Sequence, residues 1–186
     1  MTDELFEAGA QAAVISPSAY LKDPNYRFEM QLVKAMRWSG PVIGLGHPGE
    51  ALGIGRILTN EDDWKSAAAK LAEMATYIIC IPSSRPGTLW EIDYLLHGGF
   101  IRKTTFVMPA TPPQGLFRRK PFALKDDWAR LVIEARNRGV FFPDYQNENL
   151  LFCLGPEHSL RTEKFNLTSY RSLRNGIRRL TKKMDV

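Results

Sequence analysis

Short apolar runs alternate along this chain with longer stretches in which apolar residues recur every three or four positions. Residues 12–16, 42–45, 77–81, 104–108 and 149–154 are short, apolar and rich in β-branched side chains, and they read as strands. Between them the spacing changes to a helical one. Phe28, Leu32, Ala35 and Met36 mark a helix over 26–38. Trp64, Ala67, Ala68, Leu71 and Ala75 make the stripe of a second helix that opens at residue 60. Further helices are predicted over 89–96 and 126–138, and a last one over 168–184, with Tyr170, Leu173, Ile177, Leu180 and Met184 on one side. Strand and helix in alternation predict an α/β domain: a flavodoxin-like (Rossmann-like) three-layer sandwich with a mainly parallel sheet of about five strands. The chain of 186 residues is read as one domain, its core near 12–155 and its basic C-terminal helix near 168–184.

The punctuation between elements adds detail. Asp23-Pro24 suits a helix start, and Ser39-Gly40-Pro41 an end. After the third strand, residues 82–87 hold two prolines, two serines and a glycine, so the backbone turns there. Thr88 is then read as the cap of a helix beginning at Leu89, with Glu91 three residues on at capping-box spacing. Gly44-Leu45-Gly46-His47-Pro48-Gly49 spells G-x-G-x-x-G. A dinucleotide fingerprint needs a helix to start inside it, whereas Pro48, Gly53 and Gly55 argue for a continuing loop over 46–60. That loop carries Gly46, His47, Glu50 and Arg56, and loops of such length generally do something.

Composition is that of a globular protein, 44% hydrophobic and 24% charged. No apolar run approaches the ~20 residues of a membrane span, and the acidic start does not suit a secretory leader. A cytoplasmic protein is the expectation. Cys80 and Cys153 lie in apolar runs and read as buried free thiols; no Cys/His spacing suggests a metal site. The net charge of +5 is uneven: from Arg161 onward eight Lys or Arg face two acids. Arg171, Arg174, Arg178, Arg179, Lys182 and Lys183 fall largely off the apolar stripe of the last helix. That face is either solvated, or touches an anionic surface, or pairs with another copy in a homo-oligomer. No aromatic residue interleaves with these cations after Tyr170, so base stacking and specific nucleic-acid binding are not expected, which leaves nonspecific phosphate contact.

Chemistry is expected where the third strand meets its helix, because α/β sheets bind ligands at strand carboxyl ends and helix N-termini suit phosphate. Ser83, Ser84, Arg85, Thr88 and Glu91 gather there in sequence. Each has a plain alternative: Glu91 as a capping partner, Trp90 as a packing residue, Arg85 as a solvated loop residue.

The strand, the polar loop, Gly87-Thr88-Leu89-Trp90-Glu91 and then Lys103-Thr104-Thr105-Phe106-Val107 resemble the D-x-G-x-x-x-E pattern of nucleoside deoxyribosyltransferases. The stretch is also similar to the G-T-x-x-E portion of the cytokinin-activating phosphoribohydrolases. With Gly40-Pro41-Val42-Ile43-Gly44, Pro48-Gly49-Glu50 and Asp62-Asp63-Trp64, it looks like a bacterial TIR-like or deoxyribosyltransferase-like group over roughly 13–109. The resemblance implies a domain that handles N-glycosidic bonds of nucleotides, NAD among them, with no bound cofactor. It implies Glu91 as the catalytic carboxylate and Gly87 as the residue that lets backbone approach the ligand. Arg85 stands where the deoxyribosyltransferase motif has aspartate, and Ser83-Ser84 replace the phosphoribohydrolase double glycine. An arginine there suits a phosphate. Three functions remain open: a nucleotide or NAD N-glycosidase, with Trp90 or the 46–56 loop shaping a base pocket; a nucleotide-sensing module without turnover; and an interaction protein that works through its basic tail.

Overall fold

Four consecutive buried residues, Tyr77–Cys80, form the strand around which the sheet is assembled. The structure is a computed structural model that describes residues 12–15, 24–46, 55–59, 62–111, 124–155 and 159–181. In chain order its elements are β1 (Ala12–Ile15), α1 (Pro24–Met36), β2 (Val42–Gly46), β3 (Gly55–Leu58), α2 (Trp64–Met74), β4 (Tyr77–Cys80), α3 (Pro86–His97), a 3-10 turn (Phe100–Lys103), β5 (Thr104–Met108), α4 (Leu124–Asn137), β6 (Leu150–Leu154), β7 (Leu160–Lys164) and α5 (Tyr170–Thr181).

The strands form one seven-stranded sheet in the order β3-β2-β1-β4-β5-β6-β7. The ladders joining β3, β2, β1, β4 and β5 are parallel, whereas β6 pairs antiparallel with β5 and β7 antiparallel with β6. The chain is thus mixed α/β with a mixed sheet, and it departs from the expected five-strand flavodoxin layout in two places. At one edge β3 lies inside the stretch read as loop, with Arg56 paired to Gly44 and Leu58 to Gly46. Gly55 brings β3 close to β2: a Cβ there would stand 3.4 Å from the carbonyl oxygen of Val42. At the other edge β7 is a short strand whose side chains are partly or fully exposed, so it has no apolar pattern to announce it.

Alternation along β4 sends Ile78 and Cys80 to one face and Tyr77 and Ile79 to the other. The first face packs under α2, α3 and α4, through Leu71, Ala72, Ile92, Leu95, Trp128 and Leu131. The second packs under α1 and α5, through Phe28, Leu32, Leu173, Ile177 and Leu180. Ring contacts among Phe106, Phe142, Phe152 and Trp128 fill the region beneath α4, and the Trp128 indole N–H reaches the Pro143 carbonyl at 2.8 Å. On the other face the Tyr77 hydroxyl donates to Thr105 Oγ1, which lies 2.9 Å from Cys153 Sγ. Both cysteines are free and buried.

Helix α4 ends in a Schellman motif. The Gly139 N–H bonds to the Arg136 carbonyl at 3.0 Å and the Val140 N–H to the Ala135 carbonyl at 2.9 Å. Gly139 has φ 75°, a conformation that costs an L side chain roughly 1–2 kcal/mol. Gly139→Ala is therefore expected to lose about 1 kcal/mol in urea unfolding, although nothing within 4 Å would meet its Cβ. Gly87→Ala serves as the contrast. Its Cβ would make ordinary contact with the Trp64 ring at 3.7 Å, and it is expected to be neutral or slightly stabilising. Equal losses in the two variants would contradict the backbone argument.

Candidate site at the end of the fourth strand

The helix after β4 starts earlier than the cap reading placed it. Pro86 is its first residue and Arg85, extended at φ −75° and ψ 145°, is the N-cap position, with no side-chain cap. Proline suits a first helical position because it has no N–H to leave unpaired and its φ is already helical. Leu89 N–H bonds to the Arg85 carbonyl at 2.9 Å, closing the first turn. Thr88 is thus inside the first turn rather than the cap, and Glu91 falls in the second turn, out of reach of a capping-box bond. Asp63 likewise occupies the N-cap of α2 without a side-chain cap bond, and that helix opens at Trp64.

The shift turns Glu91 inward. Thr88, Glu91, Ile92 and Leu95 are the buried residues of α3, spaced three and four apart on the side that faces the sheet. Glu91 is only 2% exposed, and its Oε2 has no hydrogen-bond partner among the described residues. Its charge would be felt by the Cys80 thiol at the end of β4. Burial pushes the Glu91 carboxyl up to about 8 from an ordinary 4.5. Burial first, and Glu91 second, also push the Cys80 thiol well up, so it is no thiolate nucleophile.

Around Glu91 the polar loop is tied to the scaffold. Ser83, buried, donates through its hydroxyl to Thr88 Oγ1 at 2.9 Å and accepts the Arg85 N–H at 3.5 Å. Ser84 donates its hydroxyl to Asp127 Oδ1 at 2.5 Å and its N–H to Oδ2 at 3.4 Å. Asp127, in the first turn of α4, is 6% exposed and also meets Arg130 at 3.5 Å. It is the residue that sequence reasoning left out of the site: its Asp-Asp-Trp context signals a helix start, and nothing local shows that its side chain holds a loop 43 positions away.

The other expected residues separate into groups. Arg85 is exposed at the loop, beside the first turn of α3. Trp90 packs: it meets Trp64 edge-on at 5.1 Å and stacks on Tyr94 at 5.4 Å, with the Lys65 amine over both indoles. Gly87 faces the Trp64 ring of α2. Gly46 ends β2, separated from β4 by β1. Arg56 lies in β3, and His47 and Glu50 lie outside the described residues. The structure therefore brings together Ser83, Ser84, Arg85, Thr88, Glu91 and Asp127. The site also sits where strand order reverses, since β1 leads through α1 to β2 on one side while β4 lies on its other side.

Among the described residues no group of three His, Cys, Asp or Glu could hold a metal, and no helix is long and apolar enough to cross a membrane. Compared with family models, with curated proteins and with solved structures, the chain matches none.

Glu91 makes stability depend on pH. Between pH 4.5 and about 8 the folded state keeps a proton that the unfolded chain has lost. Stability therefore falls as pH rises through this window, by about 1.4 kcal/mol per pH unit. Glu91→Gln, which keeps the shape and removes the titration, is expected to match the wild type near pH 4.5 and to exceed it by about 2–4 kcal/mol at pH 7. Urea unfolding at a series of pH values measures this, and parallel curves for the two proteins would refute it.

Proposed function

We propose that this chain cleaves the base–ribose bond of a nucleotide, with NAD the substrate its chemistry fits best, and that Glu91 is the catalytic carboxylate. One observation carries the reading: a carboxyl oxygen buried on the sheet-facing side of α3, within electrostatic reach of Cys80 at the end of the central strand, without a partner among the described residues. Leaving such a group unpaired costs stability unless it serves something.

The chemistry follows from the charge. As the C1–N bond breaks, its electron pair leaves with the base and positive charge grows on the sugar. A fixed carboxylate beside C1 stabilises or captures that charge. Water then supplies the oxygen at C1 and releases a proton. With its carboxyl pushed to about 8, Glu91 is largely neutral at pH 7 in the empty site. A ligand that brings a positive charge, as a nicotinamide ring does, favours its ionisation. Arg85 and the first-turn amides of α3 offer a phosphate an electropositive neighbour. Asp127 positions the loop through Ser84. The proposal agrees in kind with the resemblance to deoxyribosyltransferase-like and TIR-like domains, and a Rossmann-like three-layer class belongs to the same proposal.

A sensing module without turnover is the second reading. The Ser83 and Ser84 hydroxyls favour it, because both are already engaged within the protein.

Incubation with NAD and common nucleotides, followed by chromatography of the free base, separates the two. Turnover is expected to rise with pH through about 8, because the ionised form acts. Glu91→Gln and Glu91→Ala are each expected to lose about 10²–10³-fold or more and to lose that pH limb. Wild-type turnover that survives Glu91→Ala removes Glu91 from the mechanism. Tight binding with the ligand recovered intact selects the sensing module.

A further inference from the structure

At the opposite edge of the sheet, the one formed by strand ends rather than by β3 or β7, where β4 and β5 begin, α1, α5 and the 3-10 turn border an open cavity of about 710 Å³. Arg102, Lys103, Arg174 and Arg178 line it, and among the described residues no Asp or Glu does. Their commitments differ. The Lys103 amine is engaged, donating to the Ala75 carbonyl at 2.6 Å and the Glu73 carbonyl at 3.3 Å, where α2 ends. Arg102, Arg174 and Arg178 form no ion pair among the described residues, whereas Arg138 and Arg179 do. Helix dipoles explain some cations here, since helices end at this edge, but a dipole needs no recess and no aromatic ring.

Trp38 supplies the ring. It also lines the cavity, is 70% exposed, and carries the Arg37 guanidinium over its face at 4.5 Å. It follows α1 in the chain and so is distant in sequence from the α5 arginines beside which the fold places it. The aromatic that α5 lacks after Tyr170 is thus contributed by another element.

We propose that this cavity binds single-stranded nucleic acid, with Arg102, Arg174 and Arg178 on the phosphates and Trp38 stacked on an unpaired base. Guanidinium forks match phosphate oxygens, and base–aromatic stacking tolerates any sequence. Arg174 and Arg178 stand one turn apart on α5, and Arg102 adds a third guanidinium from the 3-10 turn, more than a single phosphate requires. A recess with an aromatic at its wall suits an extruded base better than the closed stack of a duplex or the plane of a lipid surface. The proposal is independent of the Glu91 chemistry, which lies at the other edge of the sheet.

Fluorescence anisotropy with labelled oligo-dT and oligo-U of about twelve nucleotides tests it on the full chain. The Arg174→Ala/Arg178→Ala variant is expected to bind at least tenfold more weakly, with a salt slope shallower by about 1.4. Trp38→Ala is expected to bind about 5- to 100-fold more weakly with the slope unchanged, and Trp38→Phe to recover part of the loss. Arg136→Ala, on the other face of the sheet, is expected to bind as wild type does, and circular dichroism is expected to show every variant folded. Four results would each overturn the proposal: no binding at low salt, a folded double-arginine variant that binds undiminished, equal affinity for duplex, or displacement of the oligonucleotide by mononucleotide or by phosphatidylserine vesicles at equal phosphate.

Discussion

A strand apolar on both faces must be covered on both, and β4 imposes that requirement on the whole chain. Tyr77, Ile78, Ile79 and Cys80 are all buried, so neither side can face water. Covering Ile78 and Cys80 takes α2, α3 and α4; covering Tyr77 and Ile79 takes α1 and α5. Parallel neighbours on either side, β1 and β5, follow because each crossover carries a helix back over a face. The antiparallel pair β6 and β7 extends the sheet beyond the last crossover, and Gly176 lets α5 lie close over it, where a Cβ would stand 3.0 Å from Leu151 Cδ1.

The same requirement explains the position of Glu91. Since α3 follows β4 after a short loop, its sheet-facing stripe is fixed by the residue at which the helix begins. Starting at Pro86 puts position 91 on that stripe with Ile92 and Leu95. An apolar residue there would extend the core at no electrostatic cost. A carboxyl instead leaves Oε2 unpaired among the described residues and holds its proton into the neutral range. Around it the polar groups are satisfied: Ser83 by Thr88, Ser84 by Asp127. Among the described residues the acid of α3 is thus left unsatisfied while the loop that precedes the helix has its hydroxyls paired.

What the sequence disclosed follows from how locally each feature is encoded. Strands β4 and β5 are buried throughout, and their apolar runs stood out; the stripes of α1, α2, α4 and α5 did so by spacing. Strand β3 did not, because Gly55 and the glycines before it carry a loop signature, while their use at Gly55 is close approach to β2. Strand β7 alternates exposed and half-buried residues and borrows its order from β6. The sequence places the start of α3 too late because proline and glycine carry a turn signature, and this makes a cap the plain alternative for Glu91. Asp127 and Trp38 were missed for a different reason. Each acts on a partner remote in the chain, and no local spacing records such a pairing.

Polarity runs through the molecule from one sheet edge to the other. At the carboxyl end of β4 the chain buries an acid among apolar side chains, where a bound cation would relieve it. At the amino end it gathers uncommitted guanidinium groups over the ends of helices, where a bound anion would relieve them. The acid keeps its proton into the neutral range, so the two ends differ in kind rather than by opposite charge. A parallel strand arrangement makes this possible, since it sends helix beginnings to one edge and helix ends to the other. The residues gathered at the two ends are therefore separate sets.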